Sequence, residues 1–324
     1  MKRIGVLTSG GDGPGFNPCV RAVVRTAISY GLSVKGIRYG YAGLIDGDID
    51  EMTVRSVGGI IGRGGTILGT ARSKEFRTKR GRLTAMRKLN EHEIEGLVVI
   101  GGDGSFRGAL KLYDEFKLPV VGVPGTIDND ISGTDMSIGV DTALNTVLDA
   151  LDKIRDTASS HQRAFLIEVM GRDSGYLALM SGIAGGAEMI LCPEVETSPE
   201  EVAEALKGAY LRGKAHCIIV VAEGYKPGIE ALATYLSGQR DELGFGVRTT
   251  VLGHVQRGGS PTAFERLLAT RLGVASVEAL LEGQSGVMVG LVGNEIVRTP
   301  LEEVVSRPKE LDLKLHEIAR SLEK

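Results

Sequence analysis

The stretch VVIGGDGSFRG, residues 98–108, runs from apolar residues into a GGDG turn and then into an amphipathic segment. The same order recurs in VLTSGGDGPG, residues 6–15. Strand, glycine turn, helix is how parallel α/β proteins place a turn at the carboxyl edge of a sheet, where ligands bind. The turn leaves backbone N–H groups facing outward, and the helix dipole helps them hold an anion. Two such turns predict one phosphate-rich ligand or two adjacent ligands. Neither is a Walker A loop, because no GK[ST] follows, and GGTILGTA (64–71) also lacks the lysine. Neither matches GxGxxG, since GDGSFRG has one residue too many between its last two glycines. A tight turn needing positive φ competes evenly for one GGDG. Two of them, with GRGG at 62–65, favour phosphate binding.

Outward from these turns the pattern alternates. The runs IGVL, GLVVIG, PVVGV, RAFLIEVM, EMILC, HCIIVVAE and VRTTVLG read as strands buried on both faces. Helix-length amphipathic segments lie at 16–30, 104–116, 141–156, 198–212 and 228–240. The one at 198 opens SPEE, a capping box with Pro199 at the first helical position. This is the pattern of a parallel α/β protein. A chain of 324 residues exceeds the usual size of a single core, so two domains are expected. No Pro-, Ser- or charge-rich linker divides them, which predicts α/β units packed together.

Composition narrows the class. With 42% hydrophobic and 24% charged residues and a net charge of −3, nothing points to nucleic acid or an acidic membrane. No apolar run reaches transmembrane length, and MKRIGVLTSGG lacks a signal-peptide core. The three cysteines, Cys19, Cys192 and Cys217, are far apart among apolar neighbours, which fits a cytoplasmic protein with reduced thiols. The 46 glycines, twice the usual ~7%, sit in short clusters beside strand or helix signals. That placement indicates close backbone approach.

PGTIDNDISG, residues 124–133, follows the strand-like LPVVGV and places Asp128 and Asp130 either side of an amide. An EF-hand start fails here, because Gly139 stands where the twelfth-position glutamate belongs and a strand precedes. One aspartate as general base and the other holding Mg²⁺ is the functional reading. An Asx-turn would win for the loop alone, but not beside two phosphate turns. The basic run 72–88 reads mostly as a solvated helix face, with Arg72 directed to phosphate because it follows GRGGTILGTA. Arg163, Arg172, Arg248, His254 and Arg257 stand at strand ends or beside glycines, where arginine's planar fork suits a phosphate monoester. Glu223 closes another strand-like run and can accept sugar hydroxyls.

GGDGPGFN, GTARS, IGGDGS, PGTIDND, SSHQR, EVMGR, AEG and GHVQRGGSP, in that order, resemble the bacterial ATP-dependent 6-phosphofructokinase family from residue 3 to about residue 300. The resemblance implies two Rossmann-like αβα domains of phosphofructokinase type with the active site in the cleft between them. It assigns 1–139 plus 252–302 to a larger ATP domain and 140–251 plus 303–324 to a smaller sugar-phosphate domain. It implies transfer of the ATP γ-phosphoryl to the 1-hydroxyl of fructose 6-phosphate, with Mg²⁺, in glycolysis. Asp128 becomes the base, Asp130 a substrate and magnesium contact, and Asp103 the second acid near Mg²⁺. Thr126 lies beside the transferring phosphate, whose charge Arg72 and Arg172 offset. Gly11, Tyr41, Arg72, Ser73, Arg77, Gly102, Asp103, Gly104, Ser105 and Gly108 match ATP positions. Met170, Gly171, Arg172, Glu223, His254 and Arg257 match sugar-phosphate positions. Arg163 and Arg248 match arginines that reach the neighbouring subunit's ligand, which implies a homotetramer with shared active sites.

Pyrophosphate-using relatives carry a bulkier acid at the second glycine of GGDG and a lysine before TIDND. Here these positions are Gly104 and Gly125, which leave room for ATP. The family's effector site, for ADP or phosphoenolpyruvate, matches Arg21, Arg25, Arg155, Gly186, Glu188, Arg212 and Lys214. The position that usually supplies a further arginine is Val54, with Arg55 next to it, and Gly59 replaces a usual acid. An altered effector response is the expectation, unless Arg55 substitutes. Two rivals remain: another GGDG kinase acting on NAD or lipid, which would not need SSHQR, MGR and GHVQRGG, and a catalytically silent nucleotide sensor, which would have lost Asp128, Arg72 or Arg172.

Overall fold

The structure is a computed structural model that describes residues 1–322; residues 323 and 324, the end of the expected smaller domain, lie outside it. The chain forms two compact units, Met1–Thr142 with Arg257–Lys309, and Ala143–Gln256 with Glu310–Lys324.

The first unit opens with β1 (Arg3–Ser9), α1 (Phe16–Ser29), β2 (Ser33–Ile37), α2 (Gly40–Asp46) and β3 (Ile49–Met52). It continues through α3 (Lys79–Glu91), β4 (Gly96–Gly101), α4 (Asp103–Phe116) and β5 (Val120–Pro124). Helix α5 (Val140–His161) leads into the second unit: β6 (Arg163–Val169), α6 (Tyr176–Ala184), β7 (Met189–Leu191), α7 (Pro199–Leu211), β8 (Cys217–Ala222), α8 (Ile229–Gly238), α9 (Arg240–Leu243) and β9 (Gly246–Val251). The chain then returns to the first unit with α10 (Ala263–Leu281), β10 (Val287–Val292), β11 (Glu295–Pro300) and α11 (Leu301–Ser306), and ends in α12 (Leu313–Leu322).

The first sheet has the order β11-β10-β5-β4-β1-β2-β3, parallel except that β3 and β11 run against their neighbours. Alternate residues of β1 and β4 serve opposite faces, as a pleated strand requires. Val6, Val98 and Ile100 pack with α1 and α10, whereas Leu7, Leu97 and Val99 pack with α3 and α4. Both faces are therefore covered, and the strands are apolar throughout. The second sheet, β7-β8-β6-β9, is wholly parallel. Its central strands β6 and β8 bury Leu166, Ile219 and Val221 against α7 and α8.

The expected strands all form, but β9 is not buried on both faces. Among the described residues it pairs with β6 alone, and Arg248, Thr249 and Val251 are exposed. The capping box of α7 is present: Ser198 Oγ accepts from the Glu201 N–H at 3.2 Å, and Glu201 accepts from the Ser198 N–H at 2.7 Å. The basic run is less solvated than expected, since Arg82 is largely buried and forked onto Glu115 at 2.8 and 2.7 Å.

Helices α1 and α10 meet backbone to backbone. A Cβ at Gly273 would stand 2.7 Å from the Cβ of Ala22 and 2.9 Å from the Cys19 carbonyl oxygen. These contacts are closer than real side chains make, so the helices must separate to admit one. Gly273→Val is expected to cost about 1–3 kcal/mol of stability by overpacking. Urea unfolding with an unchanged slope and a lower midpoint would match this; an unchanged midpoint would contradict the close packing.

Candidate active site

In the first unit the two GGDG turns and the PGTIDND loop leave the carboxyl ends of three adjacent strands. Ser9 of β1 is level with Gly101 of β4, and Gly101 with Pro124 of β5. Neighbouring strands lie about 4.8 Å apart, so the three segments share an edge roughly 10 Å wide. The chain winds from β1 to β2 on one side and to β4 on the other. The crevice between β1 and β4 is thus the topological switch point of the sheet.

Glycine lets these segments touch. A Cβ at Gly102 would stand 3.7 Å from the Cβ of Thr126, and one at Gly11 would meet an Arg257 guanidinium nitrogen at 2.7 Å. Gly10 lies against Ser105, whose hydroxyl donates to the Ser9 carbonyl at 2.9 Å. Gly11, Gly102, Ser105, Thr126 and Arg257 are thereby brought together. The Nε of Arg257 is buried with no hydrogen-bond partner among the described residues, a donor position that an anionic ligand would satisfy. GRGG has a packing role here: Asn17 donates to the carbonyls of Arg63 and Gly64, and Gly64 lies against the Gly259 carbonyl.

Asp128 is buried, and its N–H donates to Thr126 Oγ1 at 3.2 Å. The amide between the aspartates is more than a spacer, because Asn129 is the staple of the loop. It adopts φ 49°, a left-handed conformation that asparagine tolerates. Its side chain donates to the Asp135 carbonyl at 3.0 Å and accepts from the Ser137 N–H at 3.0 Å. Lys309, also not anticipated, donates its N–H to the Asp130 carbonyl at 3.2 Å and its ammonium to the Asp135 carbonyl at 2.6 Å. Burial pulls the Lys309 amine down to about 8, opposed by the charges of Asp135 and Asp130.

Beside the second GGDG turn Tyr41 is buried, donates to the Ser105 carbonyl at 2.7 Å and stacks on Phe76 at 4.0 Å between ring centres. Gly108 lies against the Tyr41 ring. This stack ties the segment bearing Arg72, Ser73 and Arg77 to the second GGDG turn, with both arginines exposed. Asp103, in the first turn of α4, is paired with Arg107 at 2.8 Å. Among the described residues no three His, Cys, Asp or Glu side chains form a ready-made metal cage. Mg²⁺ needs none, because it keeps water and binds through one or two carboxylates and phosphate oxygens, a donor set that Asp103 and Asp130 fit.

In the second unit Met170, Gly171, Arg172, Glu223 and His254 gather at the carboxyl ends of β6, β8 and β9. Arg172 has φ 52°, and its carbonyl leaves no space for a side chain at Gly224. Glu223 steadies this bend by accepting from the N–H groups of Gly171 at 3.3 Å and Arg172 at 3.1 Å. Glu194 accepts from the Gly175 N–H at 2.8 Å, and Gln256 accepts from the Met170 N–H at 3.2 Å; neither was anticipated. Arg163 and Arg248 are not part of this group. Arg163 opens β6, six residues or roughly 20 Å before Val169, and Arg248, third in β9 and level with Phe165, stands four residues or roughly 13 Å before it.

The residues matched to an effector are spread over both units. Arg21 and Arg25 are one turn apart on α1, Arg55 is exposed, and Gly59 has φ 69° with open space around it. In the second unit Arg155 donates to the carbonyls of Gly185 and Gly186. Glu188 accepts from the Ile218 N–H at 2.6 Å and from Lys214 at 3.4 Å. Arg212 and Glu188 line a cavity of about 530 Å³. No described helix is long and apolar enough to cross a membrane.

Residues 3–280 match the family described as Phosphofructokinase. A Thermus thermophilus protein named ATP-dependent 6-phosphofructokinase 1 is 58% identical over 322 residues, 99% of each chain. A Thermotoga neapolitana protein named ATP-dependent 6-phosphofructokinase is 55% identical over 324 residues, 99% of this chain and 100% of that one. A solved phosphofructokinase structure from Saccharomyces cerevisiae superposes with a TM-score of 0.86 at 40% identity; all of this chain is covered, but it spans only 47% of the yeast chain. Full-length identity of this order, together with two GGDG turns at the switch point of a doubly wound sheet, makes this chain a member of the phosphofructokinase family.

Proposed function

We propose that this chain is a glycolytic kinase that transfers the γ-phosphoryl of ATP to the 1-hydroxyl of fructose 6-phosphate, with Asp128 as the general base. The observation that carries this reading is the bond from the Gly125 N–H to the Gly101 carbonyl at 2.9 Å, which holds the second GGDG turn beside the loop of Asp128. Phosphoryl transfer asks mainly for in-line positioning and for charge stabilisation around the equatorial oxygens. Backbone N–H groups of the two turns hold the phosphates, Thr126 lies beside the transferring group, and Arg72 and Arg172 offset its charge. Asp128 accepts the proton of the sugar hydroxyl. Asp103 and Asp130 would hold Mg²⁺, which would supply charge neutralisation at the phosphate oxygens.

ATP as the donor is supported by the two glycines that discriminate in the sequence. A side chain at Gly104 would enter open space, where an acid would repel phosphate, and one at Gly125 would meet the Phe16 ring at 2.7 Å. Glu223, His254 and Arg257 serve the sugar phosphate. The distance of Arg163 and Arg248 from the Glu223 group supports a homotetramer in which they serve a neighbouring subunit's site. The cytoplasm is the compartment that fits a glycolytic enzyme with buried thiols at Cys19, Cys192 and Cys217.

Asp128→Asn keeps the shape of the loop and removes the base. It is expected to lower kcat by about 10²–10⁴-fold, with KM for ATP and for fructose 6-phosphate changed only a few-fold. A kcat within threefold of wild type would remove Asp128 from its role. For regulation by ADP or phosphoenolpyruvate, Val54 is the departure that matters, being 43% exposed where a relative supplies a cation. Restoring a charge-assisted contact is worth ~1.5–3 kcal/mol, more than tenfold in affinity. Val54→Arg should therefore lower the effector concentration that half-shifts the fructose 6-phosphate saturation curve by more than tenfold. No change would mean that Arg55 already makes the contact.

A further inference from the structure

Glu265, near the start of α10, is fully buried, and its carboxylate bonds to residues outside those matched to a ligand. One carboxylate oxygen accepts from the Gly139 N–H at 2.8 Å. The other accepts from the N–H and the hydroxyl of Thr142, both at 3.2 Å. Gly139 and Thr142 bracket the first residues of α5, whose opening N–H groups have no partner within the helix. A carboxylate from α10 thus caps α5, and the macrodipole favours its charge there. The network closes on both sides. Thr262, the N-cap of α10, donates its N–H to the Thr142 hydroxyl at 3.2 Å and its own hydroxyl to Asp141.

Three loops of the candidate site converge on this carboxylate. The PGTIDND segment returns through Ile138, whose carbonyl accepts from the Thr126 N–H at 3.1 Å and whose N–H donates to the Pro124 carbonyl at 2.9 Å, directly before Gly139. The first GGDG turn ends at Gly15, where a Cβ would stand 2.9 Å from Glu265 Cγ and 2.6 Å from an Ile138 methyl. The QRGGSP segment, which carries Arg257, enters α10 through Thr262 only three residues before Glu265. A shift of this carboxylate would be transmitted to all three loops.

We propose that Glu265 is a positioning residue for the phosphoryl transfer, holding the loops of Asp128 and Arg257 in register by capping α5 from α10. The inference rests on the reading of Asp128 as the base. Burial pushes the Glu265 carboxyl up to about 7, against the hydrogen bonds from Gly139 and Thr142, with the charge of Asp141 adding to the rise. Above that range it is an acceptor for all three donors, so the kinetics belong at pH 8.

The test is a set of variants assayed at pH 8 with saturating Mg-ATP and fructose 6-phosphate, alongside urea unfolding. Glu265→Gln keeps the volume but turns an N–H₂ group toward a donor of Thr142. Its kcat is expected to fall about 10- to 100-fold, the scale of a misplacement near 1 Å, with KM for ATP within twofold. The distinguishing readout is coupling: added to Asp128→Asn, Glu265→Gln should lower kcat by less than twofold, because there is no base left to misplace. Equal losses in both backgrounds would reduce Glu265 to a stability element and overturn the inference, as would an unchanged kcat in the single variant. Should Glu265→Gln fail to fold, Thr142→Ala, which removes one donor, decides by the same two comparisons. If Asp128→Asn alone leaves kcat intact, the base assignment fails first, and that outcome is separate from a Glu265 variant with normal turnover.

Discussion

A Cβ at Gly101 would stand 2.4 Å from the Ser9 carbonyl oxygen and 2.6 Å from the Ser105 hydroxyl. No side chain fits there, and the rest of the first unit is arranged around that closeness. Because Gly101 has none, the ends of β1 and β4 stay paired to their last residues, and both GGDG turns leave the sheet side by side. Ser105 then reaches back to Ser9, Tyr41 fastens onto the Ser105 carbonyl, and Phe76 stacks on Tyr41. The segment with Arg72 and Arg77 is thus anchored to the sheet through one hydroxyl and one aromatic pair. A larger residue at position 101 would disturb the strand pairing, the second turn and this anchor at once.

The second unit solves a related problem with charge. Arg172 bends through a left-handed conformation, which is costly for any residue with a side chain. Gly224 makes room for its carbonyl, and Glu223 collects the two N–H groups that the bend exposes. Glu223 is itself exposed, so its carboxylate keeps lone pairs that face solvent. One side chain can therefore fix the backbone at Arg172 and still accept from a hydroxylated ligand. Both units place their functional groups on turns at the carboxyl ends of strands, where a rigid sheet sets the position and a short loop supplies the chemistry.

What the sequence made legible was local. The GGDG turns, the strands before them and the SPEE cap announce themselves within about ten residues, and each forms as read. Strands β2, β3, β10 and β11 and helices α2, α6, α9, α10, α11 and α12 carry no such local signal. Strand β10 joins the sheet beside β5 by pairing that spans more than 160 residues of sequence, which no local pattern encodes. The apolar residues of α10 surround it because it is covered by α1 on one side and the sheet on another, which hides the amphipathic stripe. Exposure of β9 was misread for the complementary reason: its composition suits a central strand, but only β6 pairs with it. In the candidate site, residues that resemble a family motif were visible, whereas Glu265, Gln256 and Lys309 act on partners 86 to 179 positions away. Asn129 was within reach, since asparagine between two aspartates in a tight loop is a signal for a left-handed residue.

In the proposed reaction, the edge formed by the two GGDG turns and the PGTIDND loop moves a phosphoryl group from ATP to a sugar hydroxyl. The direct measurement is the initial rate of ADP formation against fructose 6-phosphate at fixed Mg-ATP, with the sugar product identified by phosphorus NMR. Turnover that depends on the sugar, with new phosphate on the 1-oxygen, is the expected result. Turnover absent with fructose 6-phosphate but present with NAD, or with pyrophosphate in place of ATP, would contradict it.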